Sequence, residues 1–302
     1  MGVSIGEQRS RPIAARSTAI PWYRNRRWRA RLGQVLALVV LVFVAFLFVA
    51  PFFWMLSTSL KPAQEIFEYN WIPSTLVWSN YRDALTSAPF GTYFKNSLIV
   101  TVGSTLGAVF SSSLVAYSFA RLRWPGRDFW FLLVLGTMML PGIVTLIPQY
   151  ILFAELGWVN TFRPLVVPSW LASDAFYVFL LRQFFRTIPM ELSEAAKIDG
   201  ASELRIWWQI VTPLSRPALV AVMIFAFNGA WGDYLKPLIY LSSESKYTLQ
   251  LGLTTFQQAA GGLPRWDWMM AASLVVMLPV VIVFFLGQKY FIEGITMTGI
   301  KR

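Results

Sequence analysis

The sequence contains no cysteine and no histidine, and only 14% of its 302 residues are charged. Thiolate and imidazole metal sites, cysteine nucleophiles and histidine general bases are therefore excluded, which removes most common enzyme chemistries. Hydrophobic residues make up 56% and aromatic residues 16% of the chain, more apolar sequence than soluble domains contain. This composition predicts an integral membrane protein that is not an enzyme and has no catalytic or metal-binding residues.

The net charge of +11 is concentrated at the amino-terminal end. Residues 1–33 hold eight arginines and one acidic residue, and a run of 23 residues without charge, Gln34 to Leu56, follows directly. A basic block beside an apolar run is typical of the cytoplasmic flank of a membrane span, so we expect no nucleic-acid partner. The run is longer than the apolar region of a signal peptide. We therefore interpret residues 1–33 as a basic cytoplasmic tail and residues 34–56 as the first transmembrane helix.

Six segments are long and apolar enough to cross a bilayer core of about 30 Å, which needs about 20 helical residues. With the amino terminus in the cytoplasm, 19 of the 26 lysines and arginines fall on the cytoplasmic side, as the positive-inside rule expects. Both termini are then cytoplasmic, and so is the polar loop after the fourth span. The predicted spans are residues 34–56, 96–120, 129–153, 164–181, 217–241 and 269–288, with outer loops at 57–93, 154–163 and 242–268.

The cytoplasmic loop contains the polar stretch ELSEAAKIDGASE, which begins at Glu191. Pro189 suits the first turn of a helix, and the carboxylates of Glu191 and Glu194 complement the positive end of its dipole. Gly200 is well placed as a left-handed helix stop. The pattern predicts a short helix that ends in a tight glycine turn.

A second short helix is predicted after that turn. Ser202 can cap it, Glu203 would be its first residue and Pro213 would end it. Asp199 does not suit its position, because an acid at the negative end of the first helix costs about 0.3–1 kcal/mol. A partner that meets Asp199 would explain that cost, and a solvated aspartate that prepares the turn is the alternative.

The loop resembles the EAA loop of the inner-membrane permease subunits of binding-protein-dependent ABC importers. The resemblance rests on Glu194-Ala195-Ala196, Gly200, Ile210 and Thr212-Pro213, where the family's usual pattern has leucine in place of Thr212. Other strings resemble the carbohydrate-uptake branch of these permeases, of the maltose-permease type, and the similarity covers residues 34–302. These strings are Ser57-Thr-Ser-Leu-Lys61-Pro, Asn80-Tyr-Arg, Asn96-Ser97, Ala116-Tyr-Ser-Phe-Ala-Arg-Leu122, Ala230-Trp-Gly-Asp-Tyr-Leu-Lys-Pro-Leu238 and Gly294-Ile-Thr-Met-Thr-Gly299.

The resemblance implies an all-α integral membrane protein of six transmembrane helices in a bacterial-type cytoplasmic (inner) membrane. A methionine-permease-like ABC importer core would occupy residues 94–291, with the EAA coupling loop at 186–213. The first helix and the outer loop would precede that core, and a cytoplasmic tail at 292–302 would follow it.

The resemblance also implies partners within the lipid bilayer and on both of its sides. These are a second homologous permease subunit, two cytoplasmic ATPase subunits and an extracytoplasmic sugar-binding protein. The chain has no G-x-x-x-x-G-K-[ST] string, so ATP and Mg are expected on the ATPase partners, and no cofactor is expected in this chain.

Family roles transfer to three groups of residues. The EAA loop docks on the ATPase in such permeases, which implies ATPase-coupling roles for Glu194, Ala195, Ala196, Asp199 and Gly200. The outer loop between the fifth and sixth spans is implied to contact the binding protein through its tip, Ala260, Gly261 and Gly262. Carboxylates, amides and aromatic faces hold neutral sugars, so the candidate substrate pathway consists of Asp174, Tyr177, Asn228, Trp231 and Asp233. In the maltose-type pair, however, the partner permease supplies the sugar site.

Other functions remain open at this stage. An ion-coupled secondary transporter or channel would use intramembrane titratable groups, of which Asp174 and Asp233 are the only support, and usually has inverted repeats that are not evident here. A membrane-embedded enzyme lacks a recognisable constellation of catalytic groups. Within the importer hypothesis, a di- or oligosaccharide is the first expected substrate, and a phosphorylated polyol or a monosaccharide is the alternative.

Overall fold

The computed structural model describes the backbone of residues 26–258 and 264–299. All regular structure in these ranges is helical, which confirms the predicted all-α class. Besides short 3-10 turns and one π-helical segment at Trp207–Val211, the helices are α1 (Arg26–Ser59), α2 (Ser79–Thr86), α3 (Phe90–Arg121), α4 (Arg127–Thr137), α5 (Gly142–Glu155), α6 (Arg163–Val166), α7 (Ala175–Phe185), α8 (Glu191–Ile198), α9 (Glu203–Ile206), α10 (Thr212–Leu214), α11 (Arg216–Trp231), α12 (Leu235–Tyr240), α13 (Leu249–Leu253) and α14 (Trp266–Gly299).

Four helical segments and two bent pairs of helices match the six predicted spans. The four segments are long and apolar enough to cross a membrane by themselves, and they are Ala30–Ser59, Phe90–Arg121, Arg163–Phe185 and Trp266–Lys289. The pair α4 and α5 bends by 97°, and the pair formed by Glu203–Leu214 and α11 bends by 84°. The count of six is reached only when each bent pair forms one span. In the second pair, Glu203–Leu214 belongs to the polar loop, and only α11 overlaps the predicted fifth span.

The third and fifth predicted spans are not single straight helices. The segment 129–153 breaks after Thr137, and the next helix begins only after Pro141, whose fixed φ and missing N–H interrupt the helical hydrogen bonds. The segment 217–241 consists of two helices, because α11 ends at Trp231. Asp233 then accepts a hydrogen bond from the backbone N–H of Lys236 at the start of α12.

Two predicted segment ends also differ from the structure. The outer loop predicted at 57–93 contains α2, and α3 already begins at Phe90. The final helix continues to Gly299, so the predicted boundary between core and tail at residue 291 falls inside α14. Pro279 lies within that helix and does not end it, although it cannot donate a backbone hydrogen bond.

The chain divides into two compact units, Met1–Trp54 and Met55–Arg302. The described part of the first unit is the amino-terminal portion of α1, whose side chains from Ala30 to Val49 are exposed and almost all apolar. Lipid is the solvent that such a surface requires.

Helix α3 is central in the second unit. It packs against α7, α11 and the 3-10 turn Val167–Leu171. One cluster of buried apolar residues joins α3, α4, α7 and α11 to Ile206 and Trp207 of the polar loop. A second cluster joins the start of α3 to α13 and α14. The polar loop is therefore part of the packed core of this unit rather than an appendage to it.

Candidate functional site

The polar loop has the predicted helix and glycine turn. Helix α8 ends at Ile198, and Gly200 has a φ of +78°, in the left-handed region that glycine adopts most readily. The N–H of Gly200 donates to the carbonyl of Lys197 at 3.0 Å, and the N–H of Ala201 donates to the carbonyl of Ala196 at 2.9 Å. These two hydrogen bonds form a Schellman motif, which satisfies the last carbonyls of the helix. The predicted role of Gly200 in the turn is confirmed.

The second helix begins as predicted, but the loop's two prolines differ from the prediction. Ser202 caps α9 by accepting a hydrogen bond from the N–H of Arg205 at 3.4 Å. Pro213 does not end the helix, because a π-helical segment leads directly into α10, in which Pro213 is the second residue. Pro189 lies before the first helix, which begins at Glu191 after Met190.

Three side chains of α3 hold the loop, and they are spaced four residues apart. The indole N–H of Trp207 donates to the hydroxyl of Ser113 at 2.9 Å. The hydroxyl of Tyr117 donates to Glu203 Oε2 at 2.6 Å. Arg121 donates to the carbonyl of Pro189 at 3.4 Å. Residues at this spacing share one face of a helix, so the three contacts form a line along α3. We refer to Ser113, Tyr117 and Arg121 as the α3 ladder.

Glu203 connects the ladder to both helices of the loop. One carboxylate oxygen accepts the hydrogen bond from Tyr117, and the other pairs with the ammonium group of Lys197 in α8. The ion pair bridges the glycine turn from one helix to the next. The relative orientation of α8 and α9 is therefore fixed on one side by Gly200 and on the other by this pair.

The predicted coupling residues do not all lie on the same side of the loop. Glu194, Ala195, Asp199 and Gly200 are exposed, whereas Ala196 packs against the apolar core. The backbone N–H of Asp199 donates to the carbonyl of Ala195 at 3.1 Å, but its carboxylate makes no hydrogen bond or ion pair with any other described residue. The cost of an acid at the end of α8 is therefore not offset within the described part of the chain.

Four large apolar side chains on the loop were not predicted to be exposed. Ile198 is 87% exposed, and it stands beside Asp199 at the turn. A polar loop with this much uncovered apolar surface is typical of a segment that contacts another protein. The sequence contains one signal for it, which is an isoleucine between the charged residues Lys197 and Asp199. The four residues are Leu192, Ile198, Leu204 and Trp208.

A cavity of about 880 Å³ lies between α3, α5, α7, α11 and α12. Three of the predicted pathway residues line it, namely Asp174, Tyr177 and Asp233. Helix α3 contributes one face to its wall, again with a spacing of four residues. These wall residues of α3 are Val100, Ser104, Ala108 and Ser112.

Asn228 and Trp231, the other two predicted pathway residues, do not line this cavity. Trp231 is 3% exposed, and its indole N–H donates to the carbonyl of Val276 at 2.9 Å. It stacks on Phe227 in the second apolar cluster. Asn228 is exposed on α11. The predicted binding-protein contacts at Ala260, Gly261 and Gly262 lie outside the described residues.

The comparison with protein families identifies the chain. Residues 108–296 match the family described as "Binding-protein-dependent transport system inner membrane component". The chain belongs to this family. This inner-membrane permease is therefore a multi-pass membrane protein and a transport subunit, and both the α3 ladder and most of the cavity wall lie within the matched region.

Curated relatives match nearly the whole permease. It is 36% identical over 281 residues to the inner membrane ABC transporter permease protein YcjP of Escherichia coli K12, covering 92% of this chain and 99% of that protein. It is 34% identical to the arabinooligosaccharides transport system permease protein AraQ of Halalkalibacterium halodurans, covering 86% and 93%. It is 33% identical to the sn-glycerol-3-phosphate transport system permease protein UgpE of Pectobacterium atrosepticum, covering 90% and 97%.

A solved structure matches the fold. The permease aligns with a TM-score of 0.76 and 24% identity to a chain of a bacterial ABC transporter involved in the import of the acidic polysaccharide alginate. The alignment covers 86% of this chain and 97% of that one. The fold is therefore that of an ABC importer permease.

Proposed function

We propose that the chain is a transmembrane permease subunit of an ATP-driven ABC importer. It carries a sugar, most simply a di- or oligosaccharide, into the cytoplasm after delivery by an extracytoplasmic binding protein. Support for the sugar comes from the strings of the carbohydrate-uptake type and from the relative named for arabinooligosaccharides. Both termini of the chain are cytoplasmic in this proposal.

Besides the binding protein, the proposed importer contains two further kinds of subunit. A second homologous permease completes the pathway, and two cytoplasmic ATPase subunits bind ATP and Mg. This chain supplies no phosphate-binding loop, so it responds to ATP hydrolysis through contact alone.

One observation carries the proposal: the same helix, α3, holds the polar loop and lines the cavity. The helix holds the polar loop through Ser113 and Tyr117. It lines the cavity with Ser112, directly before Ser113, and with Ser104, about two and a half turns earlier. A force on the loop therefore reaches the cavity wall along a single rigid helix. The exposed residues Glu194, Ala195, Asp199 and Gly200, with Ala196 supporting them from the core side, form the proposed ATPase-coupling surface.

A second candidate substrate is a phosphorylated polyol, because a relative of nearly full length is named for sn-glycerol-3-phosphate transport. The two candidates share the same subunits and the same coupling loop. They differ in the charge of the transported molecule.

Reconstitution tests the importer function. Proteoliposomes that contain both permeases and the ATPases should take up sugar only with internal ATP and the loaded binding protein. Uptake by this chain alone, driven by an ion gradient, would contradict the proposal. The empty-vesicle background and a complex with an inactive ATPase serve as controls.

The lack of cysteine in the chain allows a direct test of the coupling surface. A single Ile198→Cys variant should cross-link to an ATPase subunit that carries a cysteine on its permease-facing surface. Tyr69→Cys, on the outer loop and 93% exposed, is the matched control and should not cross-link. Equal cross-linking at both positions would refute the proposed placement of the loop.

A further inference from the structure

The cavity between α3, α5, α7, α11 and α12 contains an uneven set of charges. Among its described lining residues, the acidic groups are Asp174 and Asp233, and the basic group is Lys236. No arginine lines it. The formal charge of the wall that this chain contributes is therefore negative.

The single lysine is already paired. Its ammonium nitrogen lies 3.7 Å from Asp233 Oδ2, and its backbone N–H donates to Asp233 Oδ1 at 3.2 Å. A lysine that binds an anionic substrate would have to leave this carboxylate first. Lys236 is better suited to holding Asp233 at the start of α12 than to receiving a phosphate or a uronate.

Asp174 has no such cationic partner among the described residues. Its Oδ1 accepts a hydrogen bond from the N–H of Phe176 at 2.9 Å, which caps α7, and its other oxygen remains available. The side chain is exposed toward the cavity that it lines. A carboxylate in this state accepts hydrogen bonds from hydroxyl groups and repels anions.

The remaining polar groups of the wall are uncharged. Ser112 lines the cavity at 1% exposure, and its hydroxyl has no hydrogen-bond partner among the described residues. The cavity also has aromatic rings, including Trp158, Tyr177 and Tyr240. Hydroxyl and carboxylate acceptors between aromatic faces match a polyhydroxylated ring. The wall offers a phosphate no cation other than Lys236, which is paired with Asp233.

We infer that this permease is built to carry an uncharged oligosaccharide and disfavours uronates and sugar phosphates. The inference rests on the proposed importer function and adds the charge of its substrate. It separates this chain from the sn-glycerol-3-phosphate system named for one relative and from the importer of acidic alginate that shares its fold.

The first experiment compares neutral and acidic forms of the same sugar. The complete complex in proteoliposomes, with its binding protein, is given neutral arabino-, xylo- and malto-oligosaccharides, their uronate forms and glycerol phosphate. ATP-dependent uptake of a neutral member should exceed that of its acidic form by at least about tenfold, because placing like charges side by side costs several kcal/mol. Equal or faster uptake of a uronate or phosphate would overturn the inference and leave the importer function intact. A complex that takes up nothing, whichever loaded binding protein is present, would refute the importer function itself.

Two variants test whether the preference for neutral sugars arises in the cavity wall of the permease or in the binding protein. Lys236→Gln should not lower the uptake of uronates or glycerol phosphate relative to the neutral sugar, because Lys236 is held by Asp233 and is not expected to receive an anion. Asp174→Asn keeps the cap of α7, since asparagine caps as well as aspartate. This variant should lower the preference for the neutral sugar by about threefold or more, as expected when one charge-assisted contact is lost.

Asp128→Asn is the matched control, because it removes the same charge outside the cavity. It should leave the neutral-to-acidic ratio unchanged. A fall in acidic uptake without a fall in neutral uptake in Lys236→Gln would indicate an anion site and would overturn the inference. An unchanged ratio in Asp174→Asn would do the same.

Discussion

The hydroxyl of Tyr117 donates a 2.6 Å hydrogen bond to Glu203, which joins the central helix α3 to the cytoplasmic loop across 86 positions of sequence. Tyr117 is 4% exposed, so this bond lies at the edge of the apolar core. The contact attaches the polar loop to α3, the helix that also lines the cavity. Together with the bond from Trp207 to Ser113, it links the proposed ATPase contact to the proposed sugar pathway.

Removing this hydrogen bond should weaken coupling more than folding. Tyr117→Phe keeps the buried ring and should lower the free energy of unfolding by about 1 kcal/mol, the usual net value of one hydrogen bond. Sugar uptake per ATP hydrolysed should fall, because Glu203 then retains only Lys197. Thermal denaturation in detergent and the ratio of uptake to ATPase activity measure the two effects. Tyr69→Phe, at an exposed outer position, is the control, and an equal effect of both changes would contradict this role.

The glycine turn provides a graded test. A Cβ at Gly200 would meet no atom within 4 Å, so substitutions act there only through the backbone φ of +78°. Gly200→Asn should be the mildest change, Gly200→Ala should cost about 1 kcal/mol and Gly200→Val should cost more. Transport and retention of the ATPase subunits should decline in that order. Gly136→Ala, which also meets no atom, is the control. Full substrate-stimulated ATPase activity in Gly200→Val would refute the coupling role.

The exposed isoleucine of the loop should matter only in the complex. Ile198→Asp should leave the stability of the isolated chain within about 0.5 kcal/mol, as usual for surface changes. Its affinity for the ATPase subunits should fall by about tenfold or more, because an apolar side chain at an interface is replaced by a charge. Co-purification and a titration with isolated ATPase measure this. Ile72→Asp, 77% exposed in the outer loop, should bind normally.

A tight contact on the opposite side of the unit predicts a stability effect without a coupling effect. A Cβ at Gly252 would come within 2.3 Å of the ring of Tyr93, which is fully buried and donates a hydrogen bond to Glu244 at 2.8 Å. Gly252→Ala should therefore lower the free energy of unfolding by about 1–3 kcal/mol. Gly91→Ala, where a Cβ has open space, should not. Equal melting temperatures for the two variants would show that the Tyr93 ring moves aside for the added methyl group, and would contradict the prediction.

Local rules predicted the cytoplasmic loop well. The glycine turn and the Ser202 cap depend on the chemistry of neighbouring residues, and both occur where the sequence indicates. Pro189 and Pro213 show the limit of these rules. A proline near a helix end is compatible with several positions: Pro189 lies two residues before α8, and Pro213 lies in α10, directly after the π-helical segment.

Long-range partners could not be predicted in this way. The spacing of Ser113, Tyr117 and Arg121 is visible in the sequence, but their partners lie 94, 86 and 68 positions away. Trp231 illustrates the same limit for the pathway. In sequence, an indole near a membrane aspartate resembles a sugar contact. In the structure, however, the indole N–H of Trp231 donates to a carbonyl of α14, and its ring stacks on Phe227.

The line of contacts along α3 restricts the kind of motion that the loop can pass on. At 1.5 Å per residue, the positions from Ser113 to Arg121 extend over about 12 Å of helix. A segment attached to a helix at one point can rotate about that point. A segment attached at three points along the helix cannot rotate freely, so its rotation also rotates the helix. The loop should therefore tilt α3 rather than slide past it, and this tilt should move the residues of α3 that line the cavity.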